Sequence, residues 1–281
     1  MNTQQMNLQI IKKYKSPFAF YFLSIVIPWS FWFLAGYISH LESQTLRHEW
    51  ATGLLSFAGL LAPVAIALTF MLPDKDLRKD FFGRLFNFRS IRGEYIFIAL
   101  FLMLISILAA QAVSLLFGYS TSQFELRGGF SFSSAFFPVW FMLLAAPLLE
   151  ELAWHSYGTD SLLSRFNLFT ASILFAVFWS LWHFPLSFIK DYYHSHLIES
   201  GLIYSLNFVI SLIPFVIIMN WLYYKTNRNI ILPIIFHITA GYFNEIFATH
   251  PMSKVIQTGL LLAFSAMLLI REKEFFFNRI K

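Results

Sequence analysis

Residues 135–158 read AFFPVWFMLLAAPLLEELAWHSYG. A bilayer's hydrocarbon core takes about 20 residues of apolar helix to cross, and this stretch is long enough. Its second half nevertheless carries Glu150, Glu151 and His155. Ionisable side chains are costly in lipid, so these three belong inside a bundle or on a water-filled cavity. On a helix, Glu151 and His155 are spaced i,i+4, share a face and can pair. Glu150 is turned about 100° from Glu151 and can address a different neighbour.

The rest of the chain agrees with a membrane reading. Apolar residues make up 58% and charged residues 12%, with 35 Phe. A water-soluble core of this size cannot bury that many rings. There are no cysteines, which excludes disulfides, thiol nucleophiles and thiolate metal sites. No Lys/Arg block suits nucleic acid, so none is expected as a partner.

Seven further spans are expected outside the quoted one: 16–39, 51–72, 94–119, 168–190, 201–224, 230–248 and 255–270. The first follows Lys12, Lys13 and Lys15 like a signal peptide, but its apolar run is too long for one and reads as an uncleaved span. The fold expected is an all-α, eight-helix transmembrane bundle: one polytopic domain over 1–281, with a motif-bearing core at about 135–248.

Charge sets the orientation. Of the 20 Lys and Arg, only Arg47, Arg127, Lys190 and Lys254 fall in outer segments when the N-terminus is cytoplasmic. The other sixteen fall inside, as the positive-inside rule requires. Both termini are therefore expected in the cytoplasm, with a bacterial inner membrane as the location. The segment from Asp74 to Arg89 alternates basic and bulky apolar residues and reads as a short helix on anionic lipid headgroups, or as an ordinary basic loop.

Two more spans carry buried polar groups: His183 on the fifth, and His237, Asn244 and Glu245 on the seventh. A lone histidine in a bundle commonly just bonds a neighbouring helix. An adjacent Glu pair backed by two histidines on other spans is harder to assign to packing. Such a set can hydrolyse a bond: a carboxylate acts as base on water, one imidazole shares the proton, and a second group donates to an oxyanion. Alternatively Glu150, His183 and His237 supply the three ligands of a catalytic zinc, although the tight HExxH spacing is missing. A weaker group, Asp191, His194 and His196, sits in an outer loop.

At these residues the chain resembles the CPBP intramembrane peptidases, which include the CAAX prenyl endopeptidases and Abi-type proteins. The family motif EExxxR, often EELxWRGY, stands here as Glu150-Glu-Leu-Ala-Trp-His-Ser-Tyr157. The second, FxxxH or WxxWHxP, stands as Trp179-Ser-Leu-Trp-His183-Phe-Pro185. The third, HxxxN, stands as His237-Ile-Thr-Ala-Gly241. The resemblance implies an eight-helix fold, with Glu150 as catalytic carboxylate, His183 as its partner, His237 in the oxyanion or metal environment and Glu151 in support. His155, Trp154, Trp179 and Asn244 are supporting candidates. Two positions depart from the motifs: His155 replaces an arginine, and Gly241 replaces an asparagine.

The expected function is an intramembrane endopeptidase acting on a small membrane protein or peptide near the inner side, in contact with membrane lipids. Its cofactor is zinc or none. The alternative is a weak or inactive member serving as a membrane scaffold, immunity or regulatory protein. A proton-coupled transporter ranks last, because matched broken helices in two halves are missing.

Overall fold

The computed structural model describes residues 9–87, 91–130 and 137–279. In lipid every backbone polar group must be satisfied within the segment, which favours helices. The described residues are helical throughout, apart from turns, loops and one isolated bridge between Leu126 and Phe247. Six helices are long and apolar enough to cross a membrane. They are α1 (Pro17–Ser39), α2 (Leu46–Met71), α4 (Gly93–Leu115), α7 (Leu168–Trp182, extended by a 3₁₀ turn to Phe188), α9 (Leu202–Lys225) and α11 (Pro251–Arg271).

Eight crossings were expected. The other two fall on α5 (Val139–Ala153, 15 residues) and α10 (Ile231–Ile246, 16 residues). Each is about 22–24 Å long, against about 30 Å of hydrocarbon. These are also the helices that carry the Glu pair and His237. The expected start of the fourth span, Ala135, lies outside the described residues. At its other end α5 runs into a π-turn (Trp154–Gly158) and then α6 (Thr159–Leu163).

Lipid-facing rings and branched side chains, such as Phe18, Phe97, Val177 and Leu181, are exposed. Inside, packing is close. A Cβ on Gly59 would lie 2.3 Å from Trp32 Nε1, so glycine is what lets α1 and α2 approach there. The Trp32 indole donates to the Ser56 carbonyl at 2.9 Å.

The Asp74–Arg89 segment forms α3 (Lys75–Leu85), with Asp74 accepting from the backbone N–H groups of Asp76 and Leu77; Arg89 lies outside the described residues. Its cations do not all face solvent. Arg84 is 5% exposed and enters the bundle, where it meets Asp160 at 2.9 Å. Arg228 bonds the same carboxylate and also Asp80 at 2.9 Å. Tyr223 and Tyr224 donate to Asp160 as well.

This network ties together the end of the bundle that holds both termini. Tyr14 bonds Asp80, Ser164 bonds the Tyr14 carbonyl, and Lys225 pairs with Glu272. The opposite end has its own ties. There Lys190 N–H bonds Ser39, Arg127 N–H bonds the Ile246 carbonyl, and Gln123 bonds Ser253.

Candidate active site

Glu150 lies in the last turn of α5 and is 6% exposed. Its Oε2 accepts from the Trp179 indole N–H at 2.8 Å. One turn further along α7, His183 Nδ1 donates to the Trp179 carbonyl at 2.7 Å. A carbonyl only accepts, so the hydrogen of a neutral His183 sits on Nδ1 and Nε2 is a bare acceptor. Trp179 thus positions both residues, and its ring stands edge-on to His237 at 5.2 Å.

Glu151 is fully buried and held between two imidazoles. Its Oε1 accepts from His237 Nδ1 at 2.8 Å. Its Oε2 meets Nδ1 of His155 in a short contact. The i,i+4 pair read from the sequence is formed, with His155 itself inside the π-turn. A π-turn widens the helix. Arg84, reaching in from α3, donates to the carbonyls of His155 and Ser156 at 3.0 and 2.8 Å.

Glu150, Trp179, His183 and His237 line one cavity of about 570 Å³, together with Gly241 and Asn244. Its exposed lining residues, Arg127, Lys190, Ser200 and Pro251, all lie at the end opposite the termini. Asn244 faces Tyr193 there, Nδ2 to hydroxyl 3.4 Å, and does not reach the place of Gly241. Trp154 is not in the lining. It is packed among the rings of Phe20, Phe175, Phe178 and Trp182.

The sequence reading passed over three contributors. Asn220 of α9 accepts from His155 Nε2 at 3.0 Å. Arg84 was grouped with the surface cations. His194, weighed only as part of a loop cluster, folds back on α8 (Tyr193–Ser200) and stacks on His183 at 4.9 Å. Asn220 gave a signal, since it stands alone in the apolar run VIIMNWLYY. The Arg84–Asp160 contact joins positions 76 apart and the His194–His183 contact needs α8 folded back, so neither gave one.

The comparisons fall on this stretch. A profile for type II CAAX prenyl endopeptidases, Rce1-like, matches residues 132–243. The CAAX prenyl protease 2 of Methanococcus maripaludis is 40% identical over 274 residues, covering 96% of this chain and 100% of that protein. The chain belongs to the Rce1-like CAAX prenyl endopeptidase family. By class it is an intramembrane peptidase.

The Rce1-like chain shows its two motif departures in physical terms. At His155 the supporting carboxylate is still held, by imidazole. At Gly241 the helix presents backbone to the cavity, and an added Cβ would meet only Leu143 Cδ2, at 3.5 Å. Among the described residues, no three His, Asp or Glu side chains form a group that could hold a metal ion. Glu150 Oε2, His183 Nδ1 and His237 Nδ1 each have a protein partner already.

Proposed function

We propose that this protein hydrolyses a peptide bond of a small membrane-associated protein or peptide at the cavity that holds Glu150, His183 and His237. Glu150 takes a proton from a water in the cavity, with one of its oxygens fixed by Trp179. His183 orients that water through Nε2. His237, anchored through Nδ1–H on Glu151 and carrying a hydrogen on Nε2 as well, donates from Nε2 to the scissile carbonyl as negative charge develops there. The observation that carries this reading is the shared cavity wall of the three side chains, each already oriented through its other polar atom.

The frame of the reading is a single domain of eight crossings, with α5 and α10 as the two short ones, and lipid around its exposed apolar faces. The charge asymmetry supports cytoplasmic termini, and the membrane proposed is a bacterial inner one. The cavity opens at the other end, so cleavage falls toward the outer side rather than the inner side read from the sequence.

The relative's name supplies the first candidate substrate, a prenylated peptide ending in a CAAX sequence, to be set beside unmodified hydrophobic peptides and small membrane proteins. Membranes carrying wild type should cleave a member of such a set, and membranes carrying Glu150→Ala should not. Equal cleavage by both would remove Glu150 from the chemistry. No cleavage by wild type across the set would favour the scaffold alternative.

A further inference from the structure

Asn220 is fully buried near the C-terminal end of α9. An amide in such a place must satisfy both its nitrogen and its oxygen. Nδ2 donates to Ser172 Oγ at 2.8 Å, and Oδ1 lies 3.0 Å from His155 Nε2. Ser172 has a single hydroxyl hydrogen, which it gives to the Leu168 carbonyl at 2.8 Å. Ser172 can therefore only accept from Asn220, and this fixes which end of the amide faces which neighbour. An amide oxygen cannot donate, so His155 Nε2 carries a hydrogen. The direction of the whole chain starts from a backbone carbonyl, which cannot be reversed.

The ring has little freedom to do otherwise. His155 is fully buried, with Tyr223 edge-on at 4.8 Å. Its own carbonyl is held by Arg84 at 3.0 Å.

We propose that Asn220, backed by Ser172, is a positioning residue that keeps a hydrogen on His155 Nε2 while Nδ1–H points at Glu151, so that the ring holds this carboxylate with a hydrogen on both nitrogens. Glu151 in turn orients His237 through its other oxygen. Five side chains and one carbonyl thus connect α7 to the cavity. An arginine would bring N–H groups in a planar fork, with no tautomer to set. An imidazole matches that only when both its nitrogens carry hydrogens, and an acceptor on its far side is what keeps the second one there. The role for His237 rests on the peptidase reading; the state of the His155 ring does not.

The test is nitrogen-15 NMR of full-length, histidine-labelled protein in micelles, with His155 assigned by the signal lost in His155→Arg. Wild type should show a hydrogen on both nitrogens, and Asn220→Ala should lose the one on Nε2 while Nδ1 keeps its own. A bare Nε2 in wild type would overturn the proposal, whether or not the variant folds. So would an unchanged His155 signal in Asn220→Ala. A hydrolysis cycle adds a second reading. Asn220→Ala should lower kcat about 10-fold with KM within about twofold, and cost less than about twofold in the His155→Arg background. Equal losses in both backgrounds would make Asn220 a packing residue only. If wild type cleaves nothing, the peptidase reading falls while the spectrum still decides this one.

Discussion

Nδ1 of His237 lies 2.8 Å from Oε1 of Glu151, which sits 86 positions earlier in the chain. The contact makes Glu151 the residue that aims His237. Glu151→Gln keeps the shape but replaces one acceptor oxygen with a donor. With one face or the other unmatched, His237 loses its anchor or His155 does. Loss of an oriented oxyanion donor typically costs on the order of 10²–10³ in kcat. We expect Glu151→Gln to fall in that range with KM little changed, measured on any peptide that wild type cleaves. A kcat within twofold of wild type would show that His237 needs no carboxylate behind it.

A second prediction concerns the charged network at the terminal end. Burial pushes the Asp80 carboxyl up, but Arg84 and Arg228 more than offset this and hold it below its ordinary value. A depressed carboxylate stabilises the fold above its unfolded value, about 3.9, and that stability is lost as pH falls through the folded value. Thermal stability in detergent should therefore drop below about pH 4 by a component that Asp80→Asn lacks. Asp160→Asn should be the more damaging change at neutral pH, costing about 3–5 kcal/mol, because it leaves two buried guanidiniums short of a partner. Equal melting of Asp160→Asn and wild type would refute this account of the network.

That network also marks where sequence reading stops. Hydropathy located the apolar runs, and the cost of charge in lipid singled out Glu150, Glu151, His183 and His237. Those signals are local. The pairing of Arg84 with Asp160 joins positions 76 apart, so Arg84 counted as one more surface cation until the fold was in view. The π-turn at Trp154–Gly158 has no composition signature. His194 could not be placed at all, since its partner His183 is found only by folding α8 back.

Gly241 supplies a third prediction. An added Cβ there meets only Leu143 Cδ2, at an ordinary contact distance of 3.5 Å, and glycine inside a helix costs about 0.5–1 kcal/mol relative to alanine. The position lines the cavity one turn from His237. Gly241→Asn should therefore fold at least as stably as wild type and place an amide donor beside the scissile carbonyl. Its kcat should rise several-fold, on the order of 1 kcal/mol of added oxyanion stabilisation. A stable variant with unchanged or lower kcat would show that the missing amide is compensated by another group.

The last prediction concerns which side the cavity faces. Its exposed lining residues, Lys190 and Ser200 among them, lie at the end opposite both termini. Most of the chain's cations lie at the terminal end, which the positive-inside rule assigns to the cytoplasm. On the orientation proposed above, the cavity mouth faces outside. The chain has no cysteine, so a single introduced thiol reports without background. Lys79 and Ser200 are both exposed, at opposite ends. In intact cells a membrane-impermeant maleimide should label Ser200→Cys, and should reach Lys79→Cys only once the membrane is opened. The reverse pattern would turn the cavity to the cytoplasm, and substrates made there would then meet Glu150 directly. Because the bundle fixes the two ends relative to each other, that result would leave the site intact and overturn only the inference drawn from charge.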